Sequence, residues 1–167
     1  MVAYRKLLTE LEQSLACLPA LVAGLPPQQA EQRPGADQWS VLEVVCHMID
    51  VEILDFRAHT RQALDGQQWS DYDPFGAIEQ GVYAGRQLET EAGRWVKERQ
   101  TSLAWLRGLG QANWQAEISA PWGSFTAAKL LENWAAHDAH HLRQLVELKY
   151  ARVAAMGDGD LRYAGDW

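Results

Sequence analysis

Asn133-Trp134-Ala135-Ala136-His137-Asp138-Ala139-His140-His141-Leu142-Arg143-Gln144-Leu145 holds three of the chain's five histidines within five residues. Apolar residues recur through it at three- and four-residue steps, which predicts a helix over about residues 127–150 with Thr126 or Ser124 as its N-cap. Successive helical residues turn by about 100°, so His137 and His141 stand on one face a turn apart, within reach of one ion. Measured from Leu130 they lie about 20° to either side, on the border of the stripe formed with Trp134, Leu145 and Leu148. His140 points about 80° away, toward the polar side. Asp138 falls inside the apolar stripe, where a carboxylate is costly unless paired, so it is expected to orient a ligand or a cation. One further ligand from another element would complete a three-ligand site with positions open to water or substrate, the arrangement of catalytic metals.

Working outward, the chain supplies three more helices. Tyr4, Leu7, Leu8, Leu11, Leu15, Leu18, Val22 and Leu25 mark the first, which Gly24, Pro26 and Pro27 end. Ser40-x-x-Glu43 is a capping box opening the second, which is expected to run to Leu64 and stop at Asp65-Gly66. Leu88, Ala92, Trp95, Val96, Arg99, Leu103 and Leu106 trace the third, closed by Gly108 and Gly110. Residues 67–85 read as a long loop with a short helical turn, and 111–125 as a connection with no strand assigned. The expectation is an all-α four-helix bundle over 1–150 with a long connection between helices 2 and 3, followed by a C-terminal tail over 151–167.

Composition narrows the function classes. A net charge of −7 with scattered Lys and Arg excludes a nucleic-acid surface of the usual basic kind. Cys17 and Cys46 make neither a disulfide framework nor a CxxC pair, and no window approaches the roughly 18 apolar residues of a membrane span. Together with the lack of an apolar leader, these features predict a soluble cytoplasmic protein. Cys46 is expected in the core.

The third metal ligand could come from His47, His59 or a carboxylate. His47 sits on the seam between a polar stripe, Glu43 and Asp50, and packed Val44, Val51 and Leu54; it could line a cleft or pair with those carboxylates at the surface. His59, near Arg57 and Arg61, reads as a surface residue.

Trp39-Ser40, then Val44-Val45 and His47 early in the second helix, with His137-x-x-x-His141-x-x-Gln144 in the last, resembles the DinB-like superfamily of four-helix-bundle metalloproteins. The resemblance runs along the whole chain in the order and spacing of its elements. It implies that His47, His137 and His141 bind a divalent metal, commonly zinc, nickel or iron in such proteins. It also implies one of several activities: thiol-dependent S-transfer using bacillithiol, mycothiol or a related cofactor, isomerisation of the maleylpyruvate type, or hydrolysis of small molecules.

An ion with open positions can lower the pKa of a bound water or thiol, so it can supply either nucleophile. Transfer of a low-molecular-weight thiol to a small electrophile is the first expectation, and metal-dependent hydrolysis the second. A non-catalytic stress-response binding protein with a structural metal is the alternative from another class. Asp50 and Asp138 are candidates for orienting a ligand or moving a proton; Trp122, Trp134 and the Trp69–Phe75 loop are candidates for a pocket wall. The eight tryptophans and the resemblance lean toward a homodimer.

Overall fold

The computed structural model describes residues 2–165, with side chains over 4–165. Helix α1 (Val2–Val22) turns its leucines inward and is followed by Gly24, whose φ of +71° suits the reversal of the chain. A short α2 (Pro27–Glu31) occupies part of the stretch expected to be loop, with proline in its first turn where no N–H is needed. The expected capping box opens α3 (Val41–Asp50): the Glu43 N–H donates to Ser40 Oγ at 3.2 Å, and the Ser40 N–H donates to the Glu43 carboxylate at 2.8 Å.

Between α3 and α4 (Arg57–Asp65) the rod continues through a π-helical segment, Val51–Phe56, whose wider turn is seen in the Arg57 N–H donating to Glu52 O. A π turn advances less rotation per residue than an α turn, so everything beyond it leaves the phase of a straight helix. One expectation beyond it is corrected. His59, expected at the surface, is 1% exposed, and Thr60 beside it is also buried. Gly66, at φ +65°, ends the rod as expected.

After α5 (Gly76–Glu79) comes α6 (Leu88–Gly108). Then β1 (Glu117–Ala120) and β2 (Gly123–Thr126) pair antiparallel, Ile118 opposite Phe125. This hairpin, absent from the sequence reading, is held by period-two burial. Ile118 turns in against Ala63, Ala127 and Leu130 while Glu117 and Ser119 face out. Thr126 Oγ1 accepts the Lys129 N–H and caps α7 (Ala127–Ala154), which runs four residues past its expected end. A 3-10 turn (Arg162–Ala164) lies in the expected tail, whose last residues, 166 and 167, fall outside the described residues.

The four long helices form the expected bundle, with α1 and the α3–α4 rod each packing against α6 and α7. Its apolar interior is divided by a charged layer. Arg99 of α6, 1% exposed, donates from Nε and Nη2 to the two oxygens of Glu52 at 2.9 and 2.7 Å, and from Nη1 and Nη2 to both oxygens of Asp138. Nη1 also donates to Leu11 O at 3.3 Å, and the Trp134 indole N–H donates to Glu52 at 2.8 Å. The rings of Trp95 and Trp134 lie 5.0 and 5.7 Å from the guanidinium.

Removing Arg99 strands two buried carboxylates, so Arg99→Leu is expected to lose about 3–5 kcal/mol or fail to fold. Arg107→Ala, which removes an exposed pair with Glu12, is expected to cost less than about 1 kcal/mol. Urea unfolding of both variants beside wild type checks the contrast.

Candidate metal centre

Three rings converge where the second rod meets α7. His137 Nε2 lies 3.3 Å from His47 Nε2 and 3.1 Å from His141 Nε2, and one nitrogen from each ring lies within 4.8 Å of the others. Two nitrogens held at about 2.0–2.1 Å from one tetrahedral ion would stand about 3.3–3.4 Å apart, so the spacing is close to what a shared ion requires.

The neighbours of two rings fix which nitrogen offers its lone pair. The His47 Nδ1–H donates to Pro74 O at 3.1 Å, and the His141 Nδ1–H donates to Gln144 Oε1 at 2.7 Å. A carbonyl oxygen only accepts, so each Nδ1 carries the proton and a neutral ring leaves Nε2 bare toward the centre. Pro74 O is itself held in place: Asp73 Oδ1 accepts the Phe75 and Gly76 N–H groups at 3.0 and 3.1 Å. A Cβ at position 76 would come within 2.7 Å of Asp73 Oδ2, so a larger residue than Gly76 would displace that carboxylate.

Burial keeps the rings uncharged. It lowers His47 to about 4, with the neighbouring His141 adding to the effect, and lowers His137 to about 2, with His141 and His47 adding. Burial lowers His141 as well. Three neutral imidazoles with convergent Nε2 atoms are a fitting donor set for a divalent cation such as zinc, nickel or iron.

The centre opens into a cavity of about 580 Å³. Its walls include Trp39, stacked 9° from parallel on His141 with centroids 5.9 Å apart, and Phe75, 11° from parallel on His47 at 6.4 Å. His140, exposed and 4.9 Å from the His141 ring, stands at the rim and not in the triad.

The other sequence candidates fall elsewhere. Asp50 accepts the Tyr83 hydroxyl at 2.7 Å and does not line the cavity. Asp138, 2% exposed, is paired as its place in an apolar stripe demands, but its partner is Arg99 and it too is absent from the cavity wall. Trp134 is buried, its ring 11° from parallel with that of Phe56, and neither residue lines this cavity. Trp122 does face a cavity, a second one beside His137. His59 has no nitrogen left for an ion, because Nδ1 meets Asp55 Oδ1 at 2.8 Å and Nε2 meets Ser70 O at 2.9 Å. Cys46 is buried as expected, and that burial pushes its thiol up to about 12.

Sequence reasoning missed Asp55. It lines the cavity together with His47 and Val51 of the same rod, and its carboxylate is held by His59. The spacing His47, Val51, Asp55 is itself a helical signal, since each step is one turn.

Protein purified without added metal is expected to retain a divalent ion and His137→Ala to retain none, measured by elemental mass spectrometry. Gln144→Ala, which removes the acceptor for the His141 Nδ1–H, is expected to weaken metal binding about 10–100-fold in chelator competition.

Among known proteins, the profile of the DinB superfamily matches residues 10–145. No curated protein matches the chain. Of the solved structures, YfiT from Bacillus subtilis, described as "a probable metal-dependent hydrolase with an unusual four-helix bundle topology", superposes with a TM-score of 0.79. It is 19% identical, over 89% of this chain and 87% of that one, and shares the fold. No described helix is long and apolar enough to cross a membrane. With a family match spanning most of its length, the chain belongs to the DinB superfamily.

Proposed function

We propose that this protein is a metal-dependent hydrolase of small, uncharged or cationic substrates. The observation that carries the reading is the convergence of three Nε2 atoms on the wall of an open cavity that also presents the Asp55 carboxylate. When bound, a divalent ion at the triad lowers the pKa of a coordinated water and polarises a carbonyl. His47, His137 and His141 hold it; Pro74 O and Gln144 keep two of those rings in orientation. Asp55 accepts the proton as the water oxygen bonds to the acyl carbon, and returns it to the leaving group as that bond breaks. His59, bonded to Asp55 and to Ser70 O, holds the carboxylate in one orientation, and Trp39 and Phe75 give the cavity an aromatic wall.

Thiol transfer is the second reading, supported by the same open position. What places it second is charge. Among the described lining residues the carboxylates are Asp37, Asp55 and Glu147, with no Lys or Arg. With a divalent ion bound, that wall would still carry one net negative charge, which disfavours a thiol cofactor that carries carboxylates of its own. The hydrolytic description of YfiT points the same way.

Hydrolysis of p-nitrophenyl acetate tests the reading. Metal-loaded protein is expected to accelerate it, with the acceleration lost on chelation and in His137→Ala. Asp55→Asn is expected to keep its metal while kcat falls by about 10²–10⁴. A rate indifferent to both chelation and His137→Ala contradicts the proposal. Metal-dependent conjugation of monochlorobimane with one of a panel of low-molecular-weight thiols, without ester hydrolysis, would establish the transferase instead.

A further inference from the structure

A second cavity, about 410 Å³, lies against the first and is walled by Phe56, Trp69, Trp122 and Phe125. The two share Asp55, His137 and His140, so the aromatic chamber opens beside a metal-ligating ring and beside the carboxylate assigned to proton transfer. Two of its rings touch and a third lies beside them. Trp122 meets Trp69 edge-on, 82° between planes and 5.4 Å between centroids, and Phe125 lies 6.5 Å from Trp69 at 33°. Rings packed at such angles turn mixed faces and edges toward a cavity, the contacts that aromatic groups prefer.

The chamber is built rather than incidental. Trp69 is fixed from behind by His59, stacked 7° from parallel at 3.5 Å, and His59 is fixed by Asp55 and by Ser70 O. Trp122 stands at the tip of the β1–β2 hairpin. There Gly123, with φ +151°, supplies a conformation that other residues rarely adopt, and the strand return places the indole over the chamber. The hairpin is anchored at its base by the Ala127 N–H donating to Ala116 O at 2.9 Å and the Ala128 N–H donating to Trp114 O at 3.0 Å. Yet the Trp122 side chain is left 69% exposed, an apolar surface that a bound ring would cover.

We infer that this chamber is a subsite for a planar aromatic group of the substrate, and that it lays the bond to be broken across the junction at His137 and Asp55. The inference rests on the hydrolase reading for the identity of the reaction, though not for binding. The substrate class is then an aryl or arylmethyl ester or amide, its ring on the aromatic wall formed by Phe56, Trp69, Trp122 and Phe125 and its carbonyl toward the three histidines. Asn133 lines the same chamber and offers a hydrogen bond to a ring substituent.

Binding of 2-naphthol, a flat uncharged probe, separates the subsite from the chemistry when measured by titration calorimetry on chelator-treated and metal-loaded protein. Wild type is expected to bind in both states. Trp122→Ala, a change at an exposed tip that leaves the core intact, is expected to weaken binding about tenfold. Phe75→Ala, which alters only the metal cavity, is expected to leave it unchanged. In the indole N–H region of the nitrogen-correlated spectrum, the probe is expected to shift Trp69 and Trp122 and leave buried Trp95 in place. Equal affinity of Trp122→Ala and wild type overturns the inference, as does loss of binding in Phe75→Ala. If the protein proves to hold no metal, the Trp122 dependence of naphthol binding still stands and only the hydrolase reading falls. If esters are cleaved but Trp122→Ala lowers the rates with ethyl acetate, which has no ring, and with 1-naphthyl acetate by the same factor, the hydrolase stands and the subsite falls.

Discussion

Among the described residues, Arg99 is the one buried cation on which all four long helices meet. It belongs to α6, reaches the α1 backbone at Leu11 O, holds Glu52 on the second rod through two bonds, and holds Asp138 on α7 through two more. Desolvating a guanidinium and two carboxylates costs several kcal/mol per ion, which only good geometry and complete hydrogen bonding offset. Here the geometry is supplied by planar, paired contacts that fix direction as well as distance. A sliding or rotated helix would leave a charge unpaired, so the layer specifies register in a bundle whose apolar contacts alone would tolerate alternatives.

That register is what brings the candidate centre together. Glu52 follows His47 on the second rod, and Asp138 is the neighbour of His137 on α7. Pinning Glu52 and Asp138 to one guanidinium therefore sets the separation of the two ligand-bearing elements. The buried cluster carries one net negative charge, two carboxylates against one guanidinium, next to three neutral imidazoles. A divalent ion at the imidazoles would meet a favourable field at low local dielectric. The π turn beginning at Val51 has a matching consequence: it turns Glu52 into the core and lets Asp55 face the cavity while His59 tucks beneath it.

Much of this was legible in the residues. The capping box at Ser40, the stop at Gly66 and the phase of His137 against His140 rest on local rules, and local rules survive into the fold. Asp138 in an apolar stripe announced a buried partner, though one helix cannot say that the partner is a cation three elements away. Arg99 had been placed on the apolar face of α6 without its charge being read as a second announcement; two buried charges of opposite sign in different helices are a contact prediction. His47 was separated from other possible third ligands by resemblance, not by its own environment. The π turn left no mark in composition or spacing, and His59 beyond it, read as a surface residue from its neighbours Arg57 and Arg61, is buried. The hairpin was missed because strands of four residues carry too little alternation to register beside a Pro-Trp-Gly break. Trp134 and Trp122 show the same limit in reverse: both are large aromatic residues near the site, and only tertiary packing tells that one is buried behind Phe56 while the other crowns an open chamber.

The account turns on one claim, that His47, His137 and His141 hold a divalent ion through Nε2 and leave it open to the cavity. X-ray absorption at the edge of the bound metal tests it most directly. The account predicts three imidazole nitrogens at about 2.0–2.1 Å with one or more exchangeable oxygen ligands. A sulfur scatterer, or a closed shell of four protein ligands with no exchangeable position, would contradict it.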